Sequence, residues 1–402
     1  MSKEYSPFSP GVPVPIEFFI GRTEEIKRVI GAARKSVSRS SIERCFVTGD
    51  RGIGKSSLCR FALTLAERDL NLLGLHVFLG GVHTLEEMIR RILERLIRES
   101  RDRPWFETVR RIFGDHVKEV GLFGITLELD SSDKFLARAV SDFVPTLKHL
   151  LKQIRGQREG IILVLDDLNG LAGTDPFANW LKSMVDEIAT SRDPIPLTLV
   201  LVGLAERRTE LIRRQPSLNR VFDLILIDKF SAQEASEFFI QFFAAVGVPV
   251  EREALALMTR YSGGYPVLMH EIGDSVFQVD EDDHIDEKDA FSGIVRAAEV
   301  VGAKYIEPGI TSAVRSEKYK SILKKIARTP FGHRFLRKEV VSGLTEDEAR
   351  VFDNFLRRME RLGVVGKDLE RGPGSYIFTR EIYYLFFWLQ ALRELRIESK
   401  SA

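Results

Sequence analysis

The run Cys45-Phe46-Val47-Thr48-Gly49-Asp50-Arg51-Gly52-Ile53-Gly54-Lys55-Ser56-Ser57 constrains the fold more than any other stretch, because its spacing alone dictates a chemistry. A β-prone segment enters Gly49-x-x-x-x-Gly54-Lys55-Ser56, the phosphate-binding loop pattern, and residues from Ser57 to Ala66 continue with the apolar spacing of an amphipathic helix. The glycines let the backbone turn its N–H groups inward on an anion, and the N-terminus of the following helix adds partial positive charge. Gly49, Asp50, Arg51, Gly52, Ile53, Gly54, Lys55, Ser56 and Ser57 are therefore the predicted nucleotide cradle. Lys55 is expected to reach the β- and γ-phosphates of ATP. The Ser56 hydroxyl is expected to complete a Mg2+ shell otherwise supplied by water and phosphate oxygens.

A chain of 402 residues has room for two or three domains around sizeable cores. Its net charge of +1 gives no global attraction to nucleic acid, so any such contact must come from a local patch. Cys45 and Cys59 are the only cysteines, one before and one after the phosphate loop, and read as small buried hydrophobes in a reducing compartment. Met1 to Tyr5 lacks an apolar signal core and no apolar run approaches about 18 residues, so no membrane span is expected and the cytoplasm is the default location.

Residues 1–15 carry Pro7, Pro10, Pro13 and Pro15, which fix φ and remove donors, so they read as an extended arm. Phe18-Phe19-Ile20-Gly21-Arg22-Thr23-Glu24-Glu25 follows, with Thr23 as the expected N-cap and Ile26, Val29, Ile30 and Ala33 on one helical face. An apolar-Gly-Arg-x-x-Glu box upstream of a phosphate loop resembles the start of AAA+ and STAND ATPases of the origin-initiator type. In that group the box lies against the adenine, which implies that Gly21 and Arg22 contact the base.

Leu75-His76-Val77-Phe78-Leu79 reads as a second buried strand, with His76 as a packed strand residue rather than a ligand. Thr84 and Glu87 form an expected capping box for a helix through Ile97. After Gly121-Leu122-Phe123-Gly124, apolar Ile125, Leu127 and Leu129 alternate with Thr126, Glu128 and Asp130, a half-buried strand of a hairpin. Such an insertion could contact DNA or a partner; covering the sheet edge is the favoured role.

Ile161-Ile162-Leu163-Val164-Leu165 runs into Asp166-Asp167, the Walker B signature, as suits a central parallel strand whose carboxyl end meets ligands. Asp166 is expected to hold Mg2+ through water. Asp167 falls where AAA+ enzymes usually place a water-orienting Glu, so the shorter side chain implies slower hydrolysis. Leu197 to Val202 forms another buried strand that ends in Gly203-Leu204, without the polar sensor residue of AAA+ proteins. Arg220, before a strand from Leu224 to Ile227, matches their arginine-finger slot, with a solvated helix-end arginine as the other reading and Arg213 or Arg214 as alternatives.

Ser231 and Glu234 cap the first of several helices that read as an AAA+ lid. Within it, Gly264-x-Pro266 resembles the Gly-x-Pro motif that packs against the nucleotide base, and Pro266 suits a first helical turn. The following helix has no arginine for a second sensor. Asp280-Glu281-Asp282-Asp283 reads as a solvated loop at the lid's edge. From about residue 316, two helices precede a third that is capped by Thr345 and Glu348 and whose apolar face is Phe352, Phe355, Leu356, Met359 and Leu362. A hairpin follows, in the order of the winged helix of initiator-type ATPases. Arg350, Arg357, Arg358 and Arg361 on the helix, with Lys367 and Arg371 on the wing, would meet DNA phosphates. Asp353, Asn354 and Glu360 lie among them, and winged helices also bind protein.

The sequence thus predicts an α/β fold: a P-loop NTPase parallel sheet core, AAA+ like, with a helical lid and a C-terminal winged-helix domain. The expected extents are 1–15 for the arm, 16–229 for the ATPase core, 230–300 for the lid and 301–402 for the winged helix. The resemblance implies an ATP/ADP switch with slow turnover, acting as a homo-oligomer on DNA or a DNA-bound partner. The alternative is a STAND-like signalling ATPase whose winged helix is a regulatory module and whose effector is a separate protein.

Overall fold

The computed structural model describes residues 5–12, 18–101, 103–113, 117–120, 126–129, 132–306, 316–327 and 333–401. The chain divides into two compact units, Pro13–Asp228 and a second formed by Met1–Val12 with Lys229–Ala402. The first holds strands β1 (Ile42–Thr48), β2 (Leu72–Phe78), β3 (Val117–Val120), β4 (Thr126–Leu129), β5 (Gly160–Asp166), β6 (Leu197–Gly203) and β7 (Asp223–Leu226). Five of them form one parallel sheet in the order β2-β5-β6-β1-β7.

Parallel neighbours need crossover helices on both faces, so β5 and β6 are buried along their whole length. Alternation then sorts their side chains. Ile161, Leu163, Leu165, Leu197, Leu199 and Leu201 join one core with Leu75 and Val77 of β2 and the apolar stripes of helices Leu85–Ser100, Phe143–Gln153 and Asp175–Ala189. Intervening positions such as Val164, Val200 and Cys45 are equally buried and point the other way. Fully burying each such side chain is worth about 1.5–3 kcal/mol, which makes this sheet the rigid platform of the unit.

Two local expectations of this unit are corrected, and a third, the hairpin, is found. Thr23 does not cap the helix Thr23–Arg39: the N-cap is Arg22, held left-handed at φ 59° after Gly21 at φ 69°, and Ile26 N–H closes the first turn on the Arg22 carbonyl. Thr84 accepts from Glu87 N–H as foreseen, but the Glu87 carboxylate bonds to Arg90 and Arg91 instead of returning to the cap. The hairpin exists, since β3 pairs antiparallel with β4, yet these strands form their own sheet beside the helix Leu85–Ser100 and do not extend the edge of β2. Residues 121–125 and 130 of that expectation lie outside the described residues, as do Pro13 and Pro15 of the arm.

The second unit is mostly helical: Ala232–Ala244, Arg252–Ser262, Pro266–Val279 and Glu287–Val301 lead into a π-helical turn, Gly302–Ile306. Helix Glu287–Val301 packs on the two before it, so the chain does not leave this bundle at the acidic loop. Glu281, Asp282 and Asp283 are exposed, as expected of a solvated loop, but Asp280 is 6% exposed and its carboxylate accepts the N–H groups of Asp282 and His284. Beyond lie helices Glu317–Ala327, Arg337–Ser342 and Glu346–Arg361, and an antiparallel sheet of β8 (Arg334–Leu336), β10 (Ser375–Phe378) and β9 (Val365–Lys367) in that order; helix Glu381–Ser401 ends the region.

The segment 5–12 belongs to this unit as a core element. Phe8 stacks on Phe242 at 5.2 Å and meets Phe243 edge-on at 5.0 Å. It lies so close to Gly273 that a Cβ there would come within 2.2 Å of the ring. Ser9 N–H donates to His270 Nδ1 at 3.2 Å, and burial lowers the pKa of that imidazole to about 4.

Candidate nucleotide site

Strand β1 delivers the chain to the loop at the sheet's carboxyl end. The backbone turns through Gly49 (φ 154°), Gly52 (72°) and Gly54 (94°) before the helix Lys55–Leu70 begins. At Gly49 a Cβ would stand 2.5 Å from the Ile227 carbonyl oxygen, because Ile227 N–H bonds to the Thr48 carbonyl at 2.8 Å and seals the loop's base. Only glycine fits there. Gly54 is the left-handed N-cap, and a helix starting at Lys55 leaves the N–H groups of Lys55 and Ser56 without intrahelical acceptors, at the positive end of the helix dipole.

Lys55 Nζ donates to the carbonyls of Gly49 (2.8 Å) and Asp50 (2.6 Å). Burial lowers its pKa, while Asp166, Asp50 and Asp167 act in the opposite sense. The cation is therefore held among neutral oxygens with acids nearby. Asp166 ends β5, is 3% exposed, and shares a hydrogen bond of 3.0 Å between its Oδ2 and His76 Nε2. Asp167 turns left-handed at φ 62°; Asn169 donates its amide to Oδ1, and Oδ2 faces Gly80. The two adjacent carboxylates thus diverge.

The upstream box meets the loop directly. Arg22 is 8% exposed and its Nη2 donates to the Ile53 carbonyl at 3.3 Å; Ile53 is itself buried. Asp50, Arg51, Gly52, Ser56 and Ser57 line the same turn. Thr48 Oγ1, at its base, is buried without a hydrogen-bond partner among the described residues. Cys45 and Cys59 flank the loop as inert packing: burial pushes the Cys45 thiol up to about 12 and that of Cys59 well above the ordinary range.

Other expected residues lie apart. Arg220 ends the turn Pro216–Arg220, exposed, just before β7. Arg214 is taken by Asp175 at 2.6 Å. β6 runs to Gly203 with no polar side chain at its end. Gly264 (φ 75°) and Pro266 belong to the helical unit, where the Gly264 carbonyl accepts from Phe230 N–H at 2.8 Å and a Cβ would meet the Phe230 carbonyl oxygen at 2.1 Å. The Arg380 guanidinium covers the Tyr265 ring at 3.9 Å. On the helix Glu346–Arg361, Arg357 bonds Asn354, Arg350 lies 3.7 Å from Asp347, and Asp353 is taken by Arg337; Arg361, Lys367 and Arg371 are exposed and Arg358 is half-buried.

His76 is the residue the sequence reading underrated. A histidine on a strand otherwise apolar was the available signal, but only the register of β2 on β5 brings it to Asp166.

A parallel sheet in this order, with a glycine loop joining β1 to a helix N-terminus and a buried acid ending β5, defines the P-loop nucleotide-hydrolase class of α/β folds. Within that class, residues 19–200 match the family model of the AAA ATPase domain. No curated protein matches the sequence. Among solved structures, a Walker-type ATPase of Pyrococcus abyssi aligns with TM-score 0.56 and 16% identity, over 92% of this chain and 96% of that one. The ORC2 protein of Aeropyrum pernix, solved in ADPNP and ADP complexes, gives 0.55 and 12% over 98% of both chains. Cdc6p from Pyrobaculum aerophilum gives 0.50 and 13%, over 96% and 97%. These identities carry likeness of fold. No described helix is long and apolar enough to cross a membrane.

Proposed function

We propose that this chain binds ATP with Mg2+ at the loop Gly49–Ser56, hydrolyses it slowly to ADP, and uses nucleotide state to control its assembly on DNA or a DNA-bound partner. The observation that carries the reading is the convergence of Lys55, the helix N-terminus and buried Asp166 at one end of a parallel sheet, around a turn whose Gly49 has no room for a Cβ. Those groups fit a nucleotide and its metal: Ser56 and Asp166 would hold Mg2+, which supplies charge neutralisation between phosphate oxygens when bound.

Lys55 exchanges the Gly49 and Asp50 carbonyls for β- and γ-phosphate oxygens, a gain in charge complementarity. Gly21 and Arg22 border the base. Asp167 orients water across a reach one methylene shorter than glutamate. Arg220, exposed and outside its own loop, serves the γ-phosphate of a neighbouring copy. In this reading 16–229 is the ATPase core, 230–300 the lid, and 301–402 a winged helix whose Arg350, Arg357, Arg358, Arg361, Lys367 and Arg371 meet phosphates.

A second reading, a STAND-like signalling ATPase whose output is self-association and a separate effector, is favoured by the apolar end of β6 and by Asp167 turned to Asn169. Footprinting on duplex DNA with a slowly hydrolysed ATP analogue separates the two. Protection that appears only with nucleotide supports the first, whereas nucleotide-dependent oligomers, seen by light scattering, that leave DNA unprotected support the second.

A further inference from the structure

We propose that His76 is a positioning residue for the metal-binding carboxylate, holding Asp166 through Oδ2 in the orientation that receives Mg2+ when nucleotide binds. The inference rests on the nucleotide reading above and adds to it a residue on the edge strand of the sheet.

Register explains why His76 can do this. β2 runs parallel to β5 with Phe78 opposite Asp166 and His76 opposite Val164. Side chains two residues apart on a strand share a face, so His76, Phe78 and Asp166 project together and the His76–Asp166 pair is a diagonal one. The imidazole spans this diagonal, bringing Nε2 to 3.0 Å from Asp166 Oδ2. That face lies under the phosphate-loop helix: at Gly74, two residues before His76, a Cβ would come 2.4 Å from Leu63 Cδ2 and 2.5 Å from Glu67 Oε1. The helix that carries Lys55 and Ser56 therefore roofs the pair.

Both partners are deeply buried, His76 at 7% exposure and Asp166 at 3%. A carboxylate so placed needs a donor, and a carboxylate oxygen can only accept, so Nε2 carries the hydrogen of this bond. The imidazole is fixed from its other side as well. It stacks on the Phe78 ring at 4.4 Å with planes 24° apart, and Phe78 is 51% exposed at the open end of the strand. With ring plane and donor both set, Asp166 is held through one oxygen and Oδ1 remains for a metal-bound water. Residues that orient a metal-binding group in this way typically change metal affinity by about 10–100-fold when removed.

A merely structural histidine would affect folding without affecting how much Mg2+ tightens nucleotide binding, and that difference is the test. ADP affinity is measured by calorimetry in MgCl2 and in EDTA for the full chain, for His76→Phe, which keeps a stacking ring without a donor, and for His76→Gln, which restores one. We expect the Mg2+ enhancement to fall about tenfold or more in His76→Phe, the EDTA value to stay as in the parent, and His76→Gln to recover most of the loss. Should His76→Phe not fold, His76→Leu against His76→Gln makes the same comparison. Equal Mg2+ enhancement with and without the donor overturns the role of His76 while leaving the phosphate loop intact. A parent chain that binds no ADP under either condition overturns the nucleotide reading itself and this inference with it.

Discussion

The two compact units spend their polar groups differently. In Pro13–Asp228 the decisive ones sit at strand ends, where Lys55 is bonded to two carbonyls, and both the N-terminus of its helix and Asp166 converge on the same opening. In the helical unit they are consumed internally. Buried Glu271 takes Lys304 at 2.8 Å and Tyr305 at 3.0 Å, Glu348 takes Lys325 and Ser321, and His270 takes the backbone of Ser9. Carbonyl partners are neutral and readily exchanged for an anion, whereas a buried carboxylate deprived of its cation is left uncompensated. Stability in the first unit should therefore respond to ligand, and in the second to packing and pH.

The sharpest way to break this contrast is Phe8→Ala. Removing a ring held among Phe238, Phe239, Phe242 and Phe243 should cost about 3–5 kcal/mol, read as a lower urea midpoint, while ADP affinity is retained. Loss of ADP binding with the ring would show that the units do not divide the work in this way.

A somewhat smaller effect comes from acid. His270, with its pKa lowered to about 4 by burial, stays neutral in the folded chain across a range where the unfolded chain, near 6.5, takes up a proton. The unfolded state binds more protons in that window, so stability falls as pH drops from about 6.5 to about 4, by up to about 3 kcal/mol. Urea titrations at successive pH values should show the slope, and His270→Gln should flatten it. Glu348 acts in a separate window. Burial alone would raise its pKa, but hydrogen bonds from Lys325, the Thr345 N–H and Ser321 outweigh that and lower it to about 2, so its contribution fades only below about 4.5.

The site was legible wherever chemistry is written in short spacing. Gly49 to Ser56 and the apolar run into Asp166 needed no knowledge of neighbours, and the capping boxes at Ser231 and Thr345 are equally local. What failed was non-local. His76 gains meaning only from strand register, and Phe8 only from helices more than two hundred residues away, as Phe238 and His270 show. The Thr23 cap failed for a subtler reason: consecutive left-handed residues Gly21 and Arg22 moved the helix start back by one.

If the loop from Gly49 to Ser56 binds nucleotide phosphate through Lys55 and the helix N-terminus, thermal unfolding of the parent and of Lys55→Ala, with and without Mg-ATP at about a hundred times its dissociation constant, should separate the two chains. The parent should gain about 2.7 kcal/mol, and Lys55→Ala should lose most of that gain. An equal gain in both chains would place the nucleotide elsewhere.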